Sequence, residues 1–156
     1  MNNKVGLYIH VPFCLSKCPY CDFYSERYSR TLAERYKQAV LRNLEHYGGD
    51  FDTVYFGGGT PILLADEIAE ILGKIQRSDN AEITVEANPC VCDEQRLGRL
   101  FESGVNRLSI GVQSLDEREL AFLGRRHTVK QAENAVACAY NVGFRNISAD
   151  LMLGLE

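Results

Sequence analysis

Three cysteines crowd one short stretch of the chain, Cys14, Cys18 and Cys21, in the spacing C-x3-C-x2-C. Thiolates on one tight loop grip a metal or a metal cluster from one side. Structural zinc takes four protein ligands, commonly as two separated pairs, and no second pair at finger spacing follows. A [4Fe-4S] cluster usually takes four cysteines. With three, one iron keeps a position for a small molecule, which a cluster acting on a substrate requires. Two plainer readings stand beside this one: three buried thiols, or a zinc site completed by His10.

Other residues of chemical interest are spread along the sequence. Gly57-Gly58-Gly59-Thr60-Pro61 follows an apolar run, and glycine there lets backbone come close to a ligand. The stretch is neither a Walker A loop nor a dinucleotide fingerprint, so alone it reads as a tight βα turn. Glu86 and Asp150 lie near the ends of apolar runs. Carboxylates there are either surface caps or acceptors for ribose hydroxyls and an ammonium group. Gln113 follows another such run. Arg125-Arg126-His127 reads equally as a solvated charge run or a ligand contact. His10 reads as a packed strand histidine, and His46 as a structural residue on a polar helix face. Cys90 and Cys92 form a C-x-C that could support a second metal, whereas Cys138 falls on an apolar helix face, as a core thiol does.

The elements that must position these residues follow from the apolar period. Val5 to Val11 has strand character. Leu32, Tyr36, Val40, Leu44 and Tyr47 recur at helical spacing, opened by a Thr31/Glu34 capping box and closed by Gly48-Gly49. Thr53 to Phe56 is a second strand; Ile68, Ile71, Leu72 and Ile75 form a helical stripe. Glu82 to Glu86 is a third strand, and Leu97, Leu100 and Phe101 mark a helix ending near Gly104. Val105 to Val112 is a fourth strand, residues 116–123 a short helix, and Thr128/Gln131 a capping box opening a helix to about Asn141. Gly143 stops it, and Arg145 to Leu151 is a fifth strand. The order β-α-β-α-β-α-β-α-β predicts an α/β fold with a parallel sheet, an open or partial (β/α) barrel. Chemistry in such folds collects at the C-terminal strand ends. The cysteine loop, the glycine turn, Glu86, Gln113 and Asp150 each sit at or near a different one.

Composition narrows the field. With 46% hydrophobic and 24% charged residues, the chain reads as an ordinary globular protein rather than a disordered or fibrous one. Its 156 residues suit one domain. A net charge of -4 argues against nucleic acid as a partner. No apolar run approaches the ~20 residues needed for membrane insertion. No export signal is seen, so the expected compartment is the cytoplasm, where disulfides are disfavoured.

The segments Tyr8-Ile9-His10-Val11-Pro12-Phe13-Cys14 and Cys18-Pro19-Tyr20-Cys21-Asp22-Phe23 resemble the radical SAM superfamily. Within it, the chain is similar to the oxygen-independent coproporphyrinogen III oxidase group and its haem chaperone branch, from about Val5 to Leu155. The resemblance implies a partial barrel of the radical SAM type with Cys14, Cys18 and Cys21 as cluster ligands. The fourth iron would be chelated by S-adenosylmethionine. It further implies cofactor contacts from Tyr8, Tyr20, Gly58, Gly59, Thr60, Glu86, Gln113, Arg125 and Asp150. A reduced cluster of this kind passes an electron to the sulfonium and generates a radical that takes hydrogen from a substrate.

The oxidases typically carry a further cysteine two residues after the last cluster ligand, and Phe23 stands there instead. The Cys-Pro-Tyr-Cys-Asp-Phe form is similar to the haem chaperone branch. The resemblance therefore implies delivery of haem, with radical oxidative decarboxylation of a porphyrinogen as the alternative. Haem or porphyrinogen, and an electron donor such as a flavodoxin or ferredoxin, are the implied partners. Since the family barrel has six βα units and five strands are read here, residues 1–156 are expected to be the front part of a longer radical SAM core, truncated after about five strands.

Overall fold

A computed structural model describes residues 5–155. The chain runs β1 (Gly6–Val11), β2 (Phe13–Cys14), β3 (Glu26–Arg27), α1 (Arg30–Leu44), β4 (Phe51–Gly58), α2 (Ala65–Leu72), β5 (Arg77–Ala87), α3 (Glu94–Glu102), β6 (Arg107–Gln113), α4 (Glu117–Phe122), α5 (Val129–Val142) and β7 (Asn146–Leu151). Short 3₁₀ turns follow β4 (Pro61–Leu64) and β5 (Pro89–Val91). The main sheet is parallel throughout, in the order β1-β4-β5-β6-β7. Each new strand is added beside the last, as in a barrel and unlike a doubly wound sheet.

Strand alternation sorts the two faces. Val11, Val54, Phe56, Val85, Leu108 and Ile110 are fully buried, with Ile68 and Leu72 of α2, Leu97 and Leu100 of α3 and Ala139 of α5 in the same core. The intervening residues face the other way and are polar or small. The register carries Tyr8 beside Tyr55, Tyr55 beside Thr84, Glu86 beside Ser109, Ser109 beside Ser148, and Gly111 beside Asp150. One face is an oily layer under helices and the other a polar lining.

The expected elements are present, with displaced ends. Ser29, not Thr31, caps α1, accepting from Leu32 N at 3.3 Å. Glu34 turns instead to Lys37 and Gln38; with Ser29 as the cap, Thr31 already lies inside the helix. The helix stops at Leu44, before the glycines, so Tyr47 lies outside it and is exposed, and His46 sits in the turn rather than on a helix. β5 begins at Arg77, not Glu82, because Phe51 pairs with Arg77 beyond a register shift and Arg77 Nη1 donates to Leu72 O at the end of α2. β2 and β3 have no counterpart in the apolar pattern; two-residue strands carry no period.

Candidate functional site

The cysteine loop is closed at its base. β2 and β3 pair Phe13 with Glu26 and Cys14 with Arg27, while Glu26 N donates to Pro12 O and Tyr28 N to Cys14 O. The glycine turn backs this base: Gly59 N donates to Val11 O at 2.8 Å and Thr60 N to Phe13 O at 2.7 Å. A Cβ on Gly59 would lie 2.6 Å from Phe13 O, so no other residue fits without moving the loop. Thr60 is buried, and its hydroxyl donates to Cys14 Sγ at 3.6 Å.

A second wall comes from the α4–α5 connection. Gly124 adopts φ 64°, and a Cβ there would meet Pro19 Cδ at 2.7 Å, so this turn rests directly on the cysteine loop. Arg125 follows. Its Nη2 donates to Gly111 O at 2.7 Å, and its Nη1 reaches Tyr20 Oη at 3.3 Å and Cys18 Sγ at 3.6 Å. Its Nε is buried without a partner. His127 is buried, its Nε2 donating to Val112 O at 3.0 Å. Burial, then the Arg125 charge, lowers its pKa. Only Arg126 of this basic run behaves as a solvated charge.

The floor is the polar sheet face. Glu86 accepts from Tyr55 Oη at 2.7 Å and from Gly58 N at 2.9 Å. Burial, then the bond to Glu86, pushes the Tyr55 pKa up to about 12, so the phenol stays a donor. Ser109 donates to the Asp150 carboxylate at 3.1 Å. Among the described residues, Gln113 is the non-glycine residue with positive φ, 71°. Backbone in that region costs of order 1–2 kcal/mol and lies where a bulge between Gly111 and Gln113 re-aims the strand end.

Cys14, Cys18, Cys21, Tyr20, Gly58, Gly59, Thr60, Glu86, Gln113, Arg125 and Asp150 line one cavity of about 200 Å³. Tyr8 is the exception among the residues read from sequence. Its ring stacks on Tyr55 at 5.9 Å, beside the cavity, and its hydroxyl lies 3.2 Å from His10 Nδ1. His10 Nε2 in turn reaches Tyr24 O at 3.3 Å. Both nitrogens of His10 are thus engaged outside the cavity, and it is no fourth ligand beside the cysteines. A Cβ on Gly58 (φ 113°) would overlap the His10 ring, so that glycine makes room for His10. Asn88, Ser109 and Gly111 line the cavity too; in sequence they look like turn and strand filler. Cys90 opens instead onto an adjoining cavity, and Cys92 donates to Asn88 O at 3.3 Å, its pKa raised to about 12 by burial. Cys138 packs partly against the core. A wider groove of about 900 Å³ on the outer helices, lined by Arg30, Glu34, Glu70, Arg96 and Arg99, contains none of these groups.

Residues 8–156 match the Radical SAM superfamily. The chain belongs to that superfamily. Among curated relatives, the heme chaperone HemW of Escherichia coli is 39% identical over 162 residues, covering 97% of this chain and 43% of that protein. HemW of Bacillus subtilis is 38% identical, covering 95% and 42%. Bovine radical S-adenosyl methionine domain-containing protein 1, mitochondrial, is 36% identical, covering 99% and 37%. The chain therefore spans less than half the length of these relatives. In three dimensions it is similar to the radical SAM coproporphyrinogen III oxidase HemN of Escherichia coli, with TM-score 0.85 and 26% identity, covering 97% of this chain and 38% of that one. The five-stranded parallel sheet is thus part of a radical SAM barrel.

The superfamily implies a [4Fe-4S] cluster and S-adenosylmethionine, and the cavity of this radical SAM domain fits them on two counts. It gathers all three thiols of one loop. Finally, Arg125 Nε is a buried donor with no acceptor in the protein. No helix among the described residues is long and apolar enough to cross a membrane.

Proposed function

We propose that this domain holds a [4Fe-4S] cluster on Cys14, Cys18 and Cys21 and binds S-adenosylmethionine beside it. Tyr20, Gly58, Gly59, Thr60, Glu86, Gln113, Arg125 and Asp150 face the cofactors, and Tyr8 supports them from the edge. The observation that carries this reading is the convergence of the thiols, the glycine turn and the three polar strand ends on one cavity. When bound, the reduced cluster supplies an electron to the sulfonium; that chemistry belongs to the cofactors. The protein's residues bind and orient. Glu86, fixed by Tyr55 and Gly58 N, and Asp150, fixed by Ser109, present carboxylate oxygens to hydroxyls or an ammonium group. Glycine at 58 and 59 lets backbone approach the ligand.

For the whole protein, the reading favoured is handling and delivery of haem in the cytoplasm, with reduction by a flavodoxin or ferredoxin. The HemW relatives and Phe23 in place of a further cysteine support it. The likeness to HemN favours a second reading, oxidative decarboxylation of coproporphyrinogen III. Incubating the anaerobically reconstituted whole protein with S-adenosylmethionine and dithionite, with and without coproporphyrinogen III, separates them. Haem handling predicts no substrate-dependent 5′-deoxyadenosine; a vinyl-bearing product would overturn it.

A further inference from the structure

Two of the three cysteine sulfurs accept a hydrogen bond from a side chain far away in sequence. Thr60 Oγ1 donates to Cys14 Sγ and Arg125 Nη1 to Cys18 Sγ, both at 3.6 Å. Neither donor is free to wander. Thr60 is 7% exposed, and its backbone N–H is tied to Phe13 O. Arg125 is pinned by Nη2 on Gly111 O, and the residue before it, Gly124, packs on Pro19 of the cysteine loop. Two elements that follow different strands thus each deliver one donor to a different sulfur.

We infer that Thr60 and Arg125 are positioning residues that set the reduction potential of the cluster, beyond any contact they make with S-adenosylmethionine. This rests on the reading of Cys14, Cys18 and Cys21 as cluster ligands. Reduction adds negative charge to the cluster and its sulfurs. A donor aimed at a sulfur stabilises the reduced form more than the oxidised one and raises the potential. Arg125 adds a positive charge to its hydrogen bond, so its share is the larger. The two donors also hold the loop from opposite walls, keeping Cys14 and Cys18 in place before a cluster arrives.

The test is a redox titration of the reconstituted chain without S-adenosylmethionine, so that cofactor affinity does not enter. Iron and sulfide content and the EPR signal come first: if wild type assembles no [4Fe-4S] cluster, the cluster reading fails, and this inference with it. Given a cluster, Thr60→Val is expected to lower the reduced-to-oxidised ratio at the wild-type midpoint about tenfold, or 59 mV for a one-electron couple. Thr60→Ser, which keeps the hydroxyl, restores most of the shift. Arg125→Gln moves the midpoint the same way by at least as much. If Thr60→Val does not fold, Arg125→Gln decides alone. Loaded variants with the wild-type midpoint would overturn the inference, because a merely structural role predicts lost cluster rather than a moved potential.

Discussion

Replacing Gly59 with alanine tests whether the glycine turn positions the cysteine loop. The new Cβ would sit 2.6 Å from Phe13 O and 2.9 Å from Phe13 C and N. These are backbone atoms and cannot rotate aside, so relief to an ordinary contact requires about 0.8 Å of separation between the turn and the strand carrying Cys14. Overpacking of this kind costs about 1–3 kcal/mol. The displacement also strains the bonds from Gly59 N to Val11 O and Thr60 N to Phe13 O. For a domain of this size, each kcal/mol lowers Tm by about 2–4 °C, which predicts a fall of about 2–12 °C for the apoprotein in thermal unfolding followed by circular dichroism. Iron bound after anaerobic reconstitution should fall with it, since Cys14 moves away from its partners. Gly48→Ala is the control, because nothing lies within 4 Å of its Cβ. A Gly59→Ala protein with wild-type Tm and full iron would refute the claim that this turn fixes the loop.

Three further outcomes follow from single sites. Gly98 lies inside α3 with nothing within 4 Å of an added Cβ, so Gly98→Ala should stabilise by about 0.5–1 kcal/mol, read as a raised urea midpoint at constant slope. Glu86→Ala strips acceptors from Tyr55 Oη and Gly58 N; it should destabilise by about 1–3 kcal/mol and weaken S-adenosylmethionine binding in calorimetry. His127 has a folded pKa held below 6.5 by burial and by Arg125, so the unfolded chain binds the extra proton. Stability should therefore fall as pH drops from about 6.5 through the folded pKa, and His127→Gln should flatten that part of the profile in denaturant titrations.

Much of the fold was legible because each strand is followed by a helix of distinct period, and the glycines and capping residues punctuate them. What was not legible has physical causes. Ser29 won the α1 cap from Thr31 because its hydroxyl reaches Leu32 N, and local spacing does not rank two adjacent caps. β2 and β3 are held by backbone bonds across the cysteine loop, which leave no apolar trace. In the site, residue types announced themselves at the strand ends, but their partners did not. That Arg125 would reach Cys18, or that Gly124 would rest on Pro19, depends on bringing the α4–α5 connection over a loop about a hundred residues earlier. Tyr8 shows the converse: a strand residue with the right face can still stand beside a cavity, held there by stacking on Tyr55.

The most direct measurement is EPR spectroscopy with iron and sulfide analysis on the anaerobically reconstituted, dithionite-reduced chain. About four irons and four sulfides per chain are expected for a [4Fe-4S] cluster, with a signal that changes when S-adenosylmethionine is added. Substituting Cys14, Cys18 or Cys21 with alanine should abolish it, whereas the same change at Cys90, Cys92 or Cys138 should leave it intact. A single zinc per chain with no reducible signal, or a cluster that survives loss of Cys18, would contradict the assignment.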